Sequence, residues 1–161
     1  LTAANATIEV LGPSGRRVIQ IDDFFVNYLE TSLTEKEIVM AIMVPLSPAD
    51  AIGHHLKFSR VDGDYATVSV SLALAMEGRI CSYARIAVGS VAAVPLRLKE
   101  ADDILIGSNL EESEIARASE LLLKSSDPID DVRGSSSYRK FLIPRLIRQA
   151  VLQSKKELSY T

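Results

Sequence analysis

Hydrophobic and small polar positions alternate over residues 66–76 (ATVSVSLALAM). Val68, Val70, Leu72, Leu74 and Met76 share one face, and Thr67, Ser69, Ser71, Ala73 and Ala75 share the other. A period of two is the mark of a strand, so this stretch predicts a long one. Glu77-Gly78 turns the chain, and residues 79–91 return as a partner strand with Ile80, Ile86 and Val88 apolar. Residues 54–60 predict a shorter strand before this pair, and Val61-Asp62-Gly63-Asp64 predicts a turn. Upstream, residues 6–11 and 16–21 predict a hairpin with a four-residue Gly12-Pro13-Ser14-Gly15 loop. Asp22 is placed to cap a short helix carrying Phe24, Phe25 and Tyr28. Residues 37–44 (EIVMAIMV) are nearly all apolar and rich in β-branched residues, which predicts a buried strand ended by Pro45.

After Pro95 the period changes to that of helices. Residues 98–106 are amphipathic, with Gly107 as a C-cap. Residues 111–124 carry Ile115, Ala118, Leu121 and Leu122 at spacings of three and four, behind an acidic first turn. A last helix runs from about residue 137 into the terminal lysines, with Phe141, Leu142, Leu146, Ala150 and Val151 as its buried stripe and Pro144 as a kink. Strands followed by helices predict an α+β fold. Ser47-Pro48-Ala49-Asp50 reads as a linker between two domains, residues 1–46 and 50–161.

Composition narrows the functional classes. The 161 residues are 47% apolar and 24% charged with net charge -3, a globular mixture without the clustered Lys and Arg of a nucleic-acid footprint. No apolar run approaches the roughly 18 residues of a membrane span. One cysteine, Cys81, can make neither an internal disulfide nor a metal cage, which implies a reduced, cytoplasmic compartment. Its own pattern is that of a small buried residue. No signal peptide is visible, and because Leu1 opens on what reads as the inside of a domain, the chain is expected to be a fragment of something longer.

Candidate chemistry is sparse. Walker loops, nucleophile elbows and dinucleotide fingerprints are missing. His54 and His55 are neighbours on a strand and so point to opposite faces, which is wrong for one metal. The stretch 57–66 (KFSRVDGDYA) concentrates charge, a glycine and an aromatic at the mouth of the core strand. Turns collect such residues anyway. As a site, Tyr65 could stack on a flat ligand while Lys57 or Arg60 meets an anionic group. Asp131-Val132-Arg133-Gly134-Ser135 reads as the structural entry to the last helix.

Several spaced motifs agree, in order, along nearly the whole chain: Asp23-Phe24-Phe25, Thr34 through Glu37-Ile38, Ile42-x-Val44-Pro45, Lys57-Phe58-x-Arg60 and Asp64-Tyr65-Ala66-x-Val68. They continue with Arg85-Ile86-Ala87-x-Gly89-x-Val91, Pro95-x-Arg97, Glu100-Ala101, Leu105-x-Gly107, Asp131-x-Arg133-Gly134-Ser135 and Tyr138-Arg139. This series resembles the medium, FAD-binding subunit of CO dehydrogenase and xanthine dehydrogenase type molybdenum hydroxylases. The resemblance implies that residues 1–46 are the C-terminal end of an FAD-binding domain. It implies that residues 50–161 are an antiparallel sheet packed with helices, the CO dehydrogenase flavoprotein C-terminal domain. It implies FAD as cofactor, an iron–sulfur small subunit with [2Fe-2S] clusters and a molybdopterin-bearing large subunit as partners, and a dimer of heterotrimers as a candidate assembly. Carried over, Val39 is a packing contact to the flavin, Lys57 and Tyr65 lie near the isoalloxazine, and Arg60 and Asp64 shape the loop. The glycine-rich segments that hold the FAD pyrophosphate in the family are missing, so this chain alone is expected to bind FAD weakly and to be inactive by itself. The other reading is a non-catalytic assembly domain that contacts the partner subunits.

Overall fold

Burial of the apolar face of the central strand organises the second half of the molecule. The structure, a computed structural model, describes residues 1–48 and 50–158; Ala49 of the expected linker and the last three residues lie outside the described residues. Strands β6 (Ile52–Phe58), β7 (Val68–Glu77) and β8 (Ile80–Gly89) form an antiparallel sheet in that order. Val68, Val70, Leu72 and Leu74 are at most 2% exposed, as the period of two requires. Helices α2 (Lys99–Leu105), α3 (Glu112–Lys124) and α4 (Ser136–Leu158) complete a single core with that face, closed by Ile115, Leu122, Ile143 and Ile147. Burial on this scale contributes roughly 25 cal/mol per Å² of apolar surface removed from water.

The helix ends follow local chemistry. Glu111 and Glu114 form a reciprocal capping box at the start of α3. Gly107 follows α2 with φ +81 and its N–H donates to the Cys81 carbonyl at 2.8 Å, so the helix stop also ties α2 to β8. Pro144 lies inside α4, which continues through it. Two positions of the expected apolar stripes differ. Phe141 is 51% exposed, and Ile143 and Ile147 are buried in its place; in α3 it is Ser119 rather than Leu121 that is fully buried.

The first half forms a smaller sheet, β2-β1-β5, from β1 (Thr7–Gly12), β2 (Gly15–Gln20) and β5 (Ile38–Met43). The hairpin turn is tighter than expected. Gly12 pairs with Gly15, leaving two loop residues, and Gly15 takes φ +105, which costs a glycine little. Asp22 does not cap a helix. The single turn α1 (Ile21–Phe24) starts after Gln20 without a side-chain cap, and the chain leaves it at once into β3 (Phe25–Asn27), which pairs with β4 (Glu30–Thr31). Strand β5 is present but not buried: Ile38, Val39, Met40, Ile42 and Met43 are 42–60% exposed. Among the described residues it pairs with β1 alone, and the small core of Ala6, Ile8, Val10, Ile19 and Ile21 lies among the other elements.

Candidate functional site

The loop between β6 and β7 closes on Asp64. Gly63 takes φ +84, and the Asp64 carboxylate accepts the Tyr65 backbone N–H at 2.7 Å. Arg60 Nη2 lies 3.5 Å from the same carboxylate, and Lys57 Nζ donates to the Asp64 carbonyl at 3.0 Å. Four residues expected at the site, Lys57, Arg60, Asp64 and Tyr65, are therefore joined through Asp64, Lys57 and Tyr65 by hydrogen bonds and Arg60 by an ion pair. The fifth, Val39, lies on β5 of the other sheet, opposite Val10.

A second segment joins them. Arg133 Nε donates to Asp64 at 3.2 Å, and its guanidinium sits over the Tyr65 ring, 4.9 Å from the centroid. Thr67 Oγ1 donates to the Arg133 carbonyl at 3.1 Å. Beneath this pair lies Arg139, 3% exposed on the inner face of α4. It donates to the carbonyls of Thr67 (2.5 Å) and Ser90 (3.0 Å) and to Asp131 (2.6 Å). Ser90, at the end of β8, has φ +65, a costly conformation for a residue with a Cβ that the Arg139 bond helps to hold. Asp131 also accepts the Arg133 N–H at 2.7 Å, and Ser135 accepts the Tyr138 N–H as the cap of α4. The helix entry expected from the sequence is real, and it is also a wall of the site.

The resulting cleft, about 230 Å³, is lined by Tyr28, Tyr65, Ser90, Asp131, Arg133 and Arg139 among others. Its electrostatics are settled by local donors. The Tyr65 N–H, followed by the Arg133 and Arg60 guanidiniums, holds Asp64 below the usual aspartate range. The Arg133 N–H and then Arg139 do the same for Asp131. Both carboxylates are thus anions that neutralise arginines, and neither is tuned to accept a proton near neutral pH. Tyr65 keeps 78% of its surface exposed although a cation and a capped backbone fix it in place. An ordered aromatic face open to solvent beside guanidiniums suits a flat, electron-poor or anionic ring.

The remaining candidates have structural partners. His54 pairs with Glu157 at 3.0 Å and His55 with Ser71 at 2.8 Å, on opposite faces of β6. Among the described residues no group of three or more His, Cys, Asp or Glu is arranged to hold a metal ion. Cys81 is fully buried, and burial pushes its thiol up to about 11. No described helix is long and apolar enough to cross a membrane. Asp131 and Arg133 read in the sequence as a structural helix entry, Tyr28 as part of a short helix and Arg139 as one residue of a family motif, so none of the four was expected at the site. The available signal was Arg139 itself, a charge in the buried stripe of α4, which must be paired to be there.

Comparisons agree along the chain. A family model described as CO dehydrogenase flavoprotein C-terminal domain matches residues 54–154, and one described as FAD binding domain in molybdopterin dehydrogenase matches residues 1–47. The nicotine 6-hydroxylase medium subunit of Paenarthrobacter nicotinovorans is 36% identical over 154 residues, covering 96% of this chain and 54% of that protein. The carbon monoxide dehydrogenase medium chain of Afipia carboxidovorans is 31% identical over 150 residues, 93% of this chain and 52% of that one. Among solved structures, reconstituted CO dehydrogenase from Oligotropha carboxidovorans superimposes with a TM-score of 0.93 at 30% identity, covering 96% of this chain and 54% of that chain. Quinoline 2-oxidoreductase from Pseudomonas putida 86 superimposes with a TM-score of 0.87 at 29% identity, covering 98% and 54%. The chain spans about half the length of the curated relatives it matches.

Proposed function

The chain belongs to the CO dehydrogenase flavoprotein family, and on that premise we propose that it forms one wall of the FAD site in an oxidoreductase of the molybdenum hydroxylase type. The observation that carries this is Tyr65, an aromatic ring held in place by Asp64 and Arg133 yet 78% exposed. Order without cover is what a preorganised ligand contact needs. The cleft is smaller than the roughly 300–1,000 Å³ of ordinary ligand pockets. It takes the edge of a flat ring and leaves the rest of a dinucleotide to other segments.

In this reading Tyr65 faces the isoalloxazine, Lys57 and Arg60 supply positive potential, Asp64 shapes the loop, and Val39 is a packing contact from β5. FAD, when bound, supplies the redox chemistry, and the chain's residues bind, orient and shield it. Electrons reach the site from iron–sulfur clusters of a small subunit, fed by a molybdenum cofactor in a large subunit, and leave to an acceptor. The division into an FAD-domain end (1–46) and a C-terminal domain (50–161), the dimer of heterotrimers and the cytoplasmic location are parts of the same proposal.

A second reading, an assembly face for partner subunits, is favoured by a separate observation. Phe58, Tyr138 and Phe141 form an exposed aromatic ladder with centroids 6.1 and 6.3 Å apart, and Arg145 lies over Phe141 at 3.4 Å. Exposed aromatics and arginine are the composition of interface centres.

The first test is a titration with FAD read by flavin fluorescence and absorbance. The 161-residue chain alone is expected to bind negligibly, and binding is expected once it is joined to a phosphate-binding N-terminal part. Micromolar binding by the chain alone would show that the pocket is self-contained. A complete subunit that ignores FAD would remove the flavin reading.

A further inference from the structure

Arg133 reads in the sequence only as part of the entry to the last helix, and it is 69 residues from Asp64 along the chain. Its surroundings leave it little freedom. Its N–H is fixed by Asp131 and its carbonyl by Thr67, and Asp131 is itself held by the buried Arg139. A Cβ on Gly134 would lie 3.1 Å from Thr67 Cγ2 and 3.4 Å from Tyr138 Cδ1, so the turn packs tightly onto the start of β7 and α4. What emerges from this rigid turn is a guanidinium that does two things at once. It pairs with Asp64, and it lies over the Tyr65 ring. Arg60, the other cation on Asp64, is more exposed and makes a longer contact, 3.5 Å against 3.2 Å.

We propose that Arg133 is a positioning residue of the flavin site, which sets the orientation of the Tyr65 ring through a guanidinium stack and a shared bond to Asp64, with Arg139 and Asp131 as its anchor. The proposal rests on the flavin reading given above. Arginine suits the task because its plane can lie on a ring while its edge donates to a carboxylate, which a lysine cannot do together.

The test is a double-mutant cycle in the complete subunit, with Arg133→Gln, Tyr65→Ala and both, read as the dissociation constant for FAD. Arg133→Gln is expected to weaken FAD by about fivefold, the size of one exposed cation–π contact. That loss is expected to vanish in the Tyr65→Ala background. Arg133→Lys should restore less than half of it. An equal loss with and without Tyr65 would overturn the proposal, because Arg133 would then act by another route. So would an unchanged affinity in Arg133→Gln where Tyr65→Ala is weakened; in that case the flavin reading stands and the positioning role falls. If Tyr65→Ala changes nothing, or the wild-type subunit does not bind FAD, it is the flavin reading that fails. A ligand-free measurement then decides the positioning claim. Amide hydrogen exchange at Tyr65 in the 161-residue chain should quicken about fivefold in Arg133→Gln, and an unchanged rate overturns it.

Discussion

Carboxylates close loops in this chain by collecting a backbone N–H together with a guanidinium: Asp64 between β6 and β7, Asp131 ahead of α4 and Glu37 ahead of β5. Glu37 accepts Arg17 Nε at 2.7 Å, Arg17 Nη2 at 2.8 Å and the Thr34 N–H at 2.8 Å. The Arg17 bond first, and the Thr34 N–H second, pull its carboxyl down to about 2 from an ordinary 4.5. A carboxyl depressed on folding stabilises the fold above its unfolded value and loses that contribution as pH falls through its folded one. The stability owed to Glu37 should therefore be complete above about pH 5 and fade between 4.5 and 2. Glu37→Gln is expected to melt below the wild type at pH 6, and the gap in Tm should close as both are titrated toward pH 2. A constant gap would mean that shape rather than charge is what Glu37 provides. At this scale the sequence was legible where partners are neighbours. Lys57, Arg60, Asp64 and Tyr65 fall within nine residues and could be read as a loop with a cation and an aromatic. Arg133, Arg139 and Tyr28 reach the same cleft only through the fold, and nothing in local spacing brings them there.

Among the elements, β7 was legible because both of its faces carry the alternation, while β5 misled. Seven apolar residues among eight suggest a strand covered on both sides, yet among the described residues β5 has one hydrogen-bonded neighbour and is mostly exposed. Periodicity reports what a strand is suited to meet, and not whether the covering surface lies in the same chain. In α4 the same reasoning separates two apolar residues two positions apart. Ile143 is fully buried, whereas Phe141 is half exposed under Arg145. Ile143→Ala is expected to cost about 2–5 kcal/mol in urea denaturation, the range for emptying a core site. Phe141→Ala should cost under about 1 kcal/mol, in the manner of surface substitutions. If the aromatic ladder is an assembly face, Phe141→Ala should nevertheless stop co-elution with the partner subunits on size exclusion. Retained co-elution would set that second reading aside.

For the molecule as a whole, the question is what fixes the first unit against the second, since the cleft takes Tyr28 from one and Tyr65 from the other. Arg97 spans the gap. It donates to Asp22 of α1 at 3.3 Å and to Asp102 of α2 at 2.6 Å, and Asp102 also accepts the Ile86 N–H of β8 at 2.8 Å. Arg85 adds a bond from β8 to the Thr2 carbonyl at 3.2 Å. The two ends of the Arg97 bridge are unequal. Asp22 is nearly half exposed and screened by water, whereas Asp102 is buried, and burial raises its carboxyl above the ordinary value despite Arg97. Removing a surface partner costs little, but stranding a buried charge costs several kcal/mol. Arg97→Ala is therefore expected to destabilise the chain by about 3 kcal/mol at neutral pH, and Asp22→Ala by under about 1 kcal/mol. Without Arg97, Asp102 is relieved by taking a proton. An acid raised on folding costs stability above its folded value, so the Arg97→Ala deficit should shrink as pH falls toward the acid range. Urea denaturation of both variants at neutral and acidic pH measures this. Equal costs for Arg97→Ala and Asp22→Ala, or a deficit that grows in acid, would mean that Asp102 is not the end of the bridge that matters. Loosening at Asp22 alone, with the core intact, would leave each unit folded and free the cleft to widen between them.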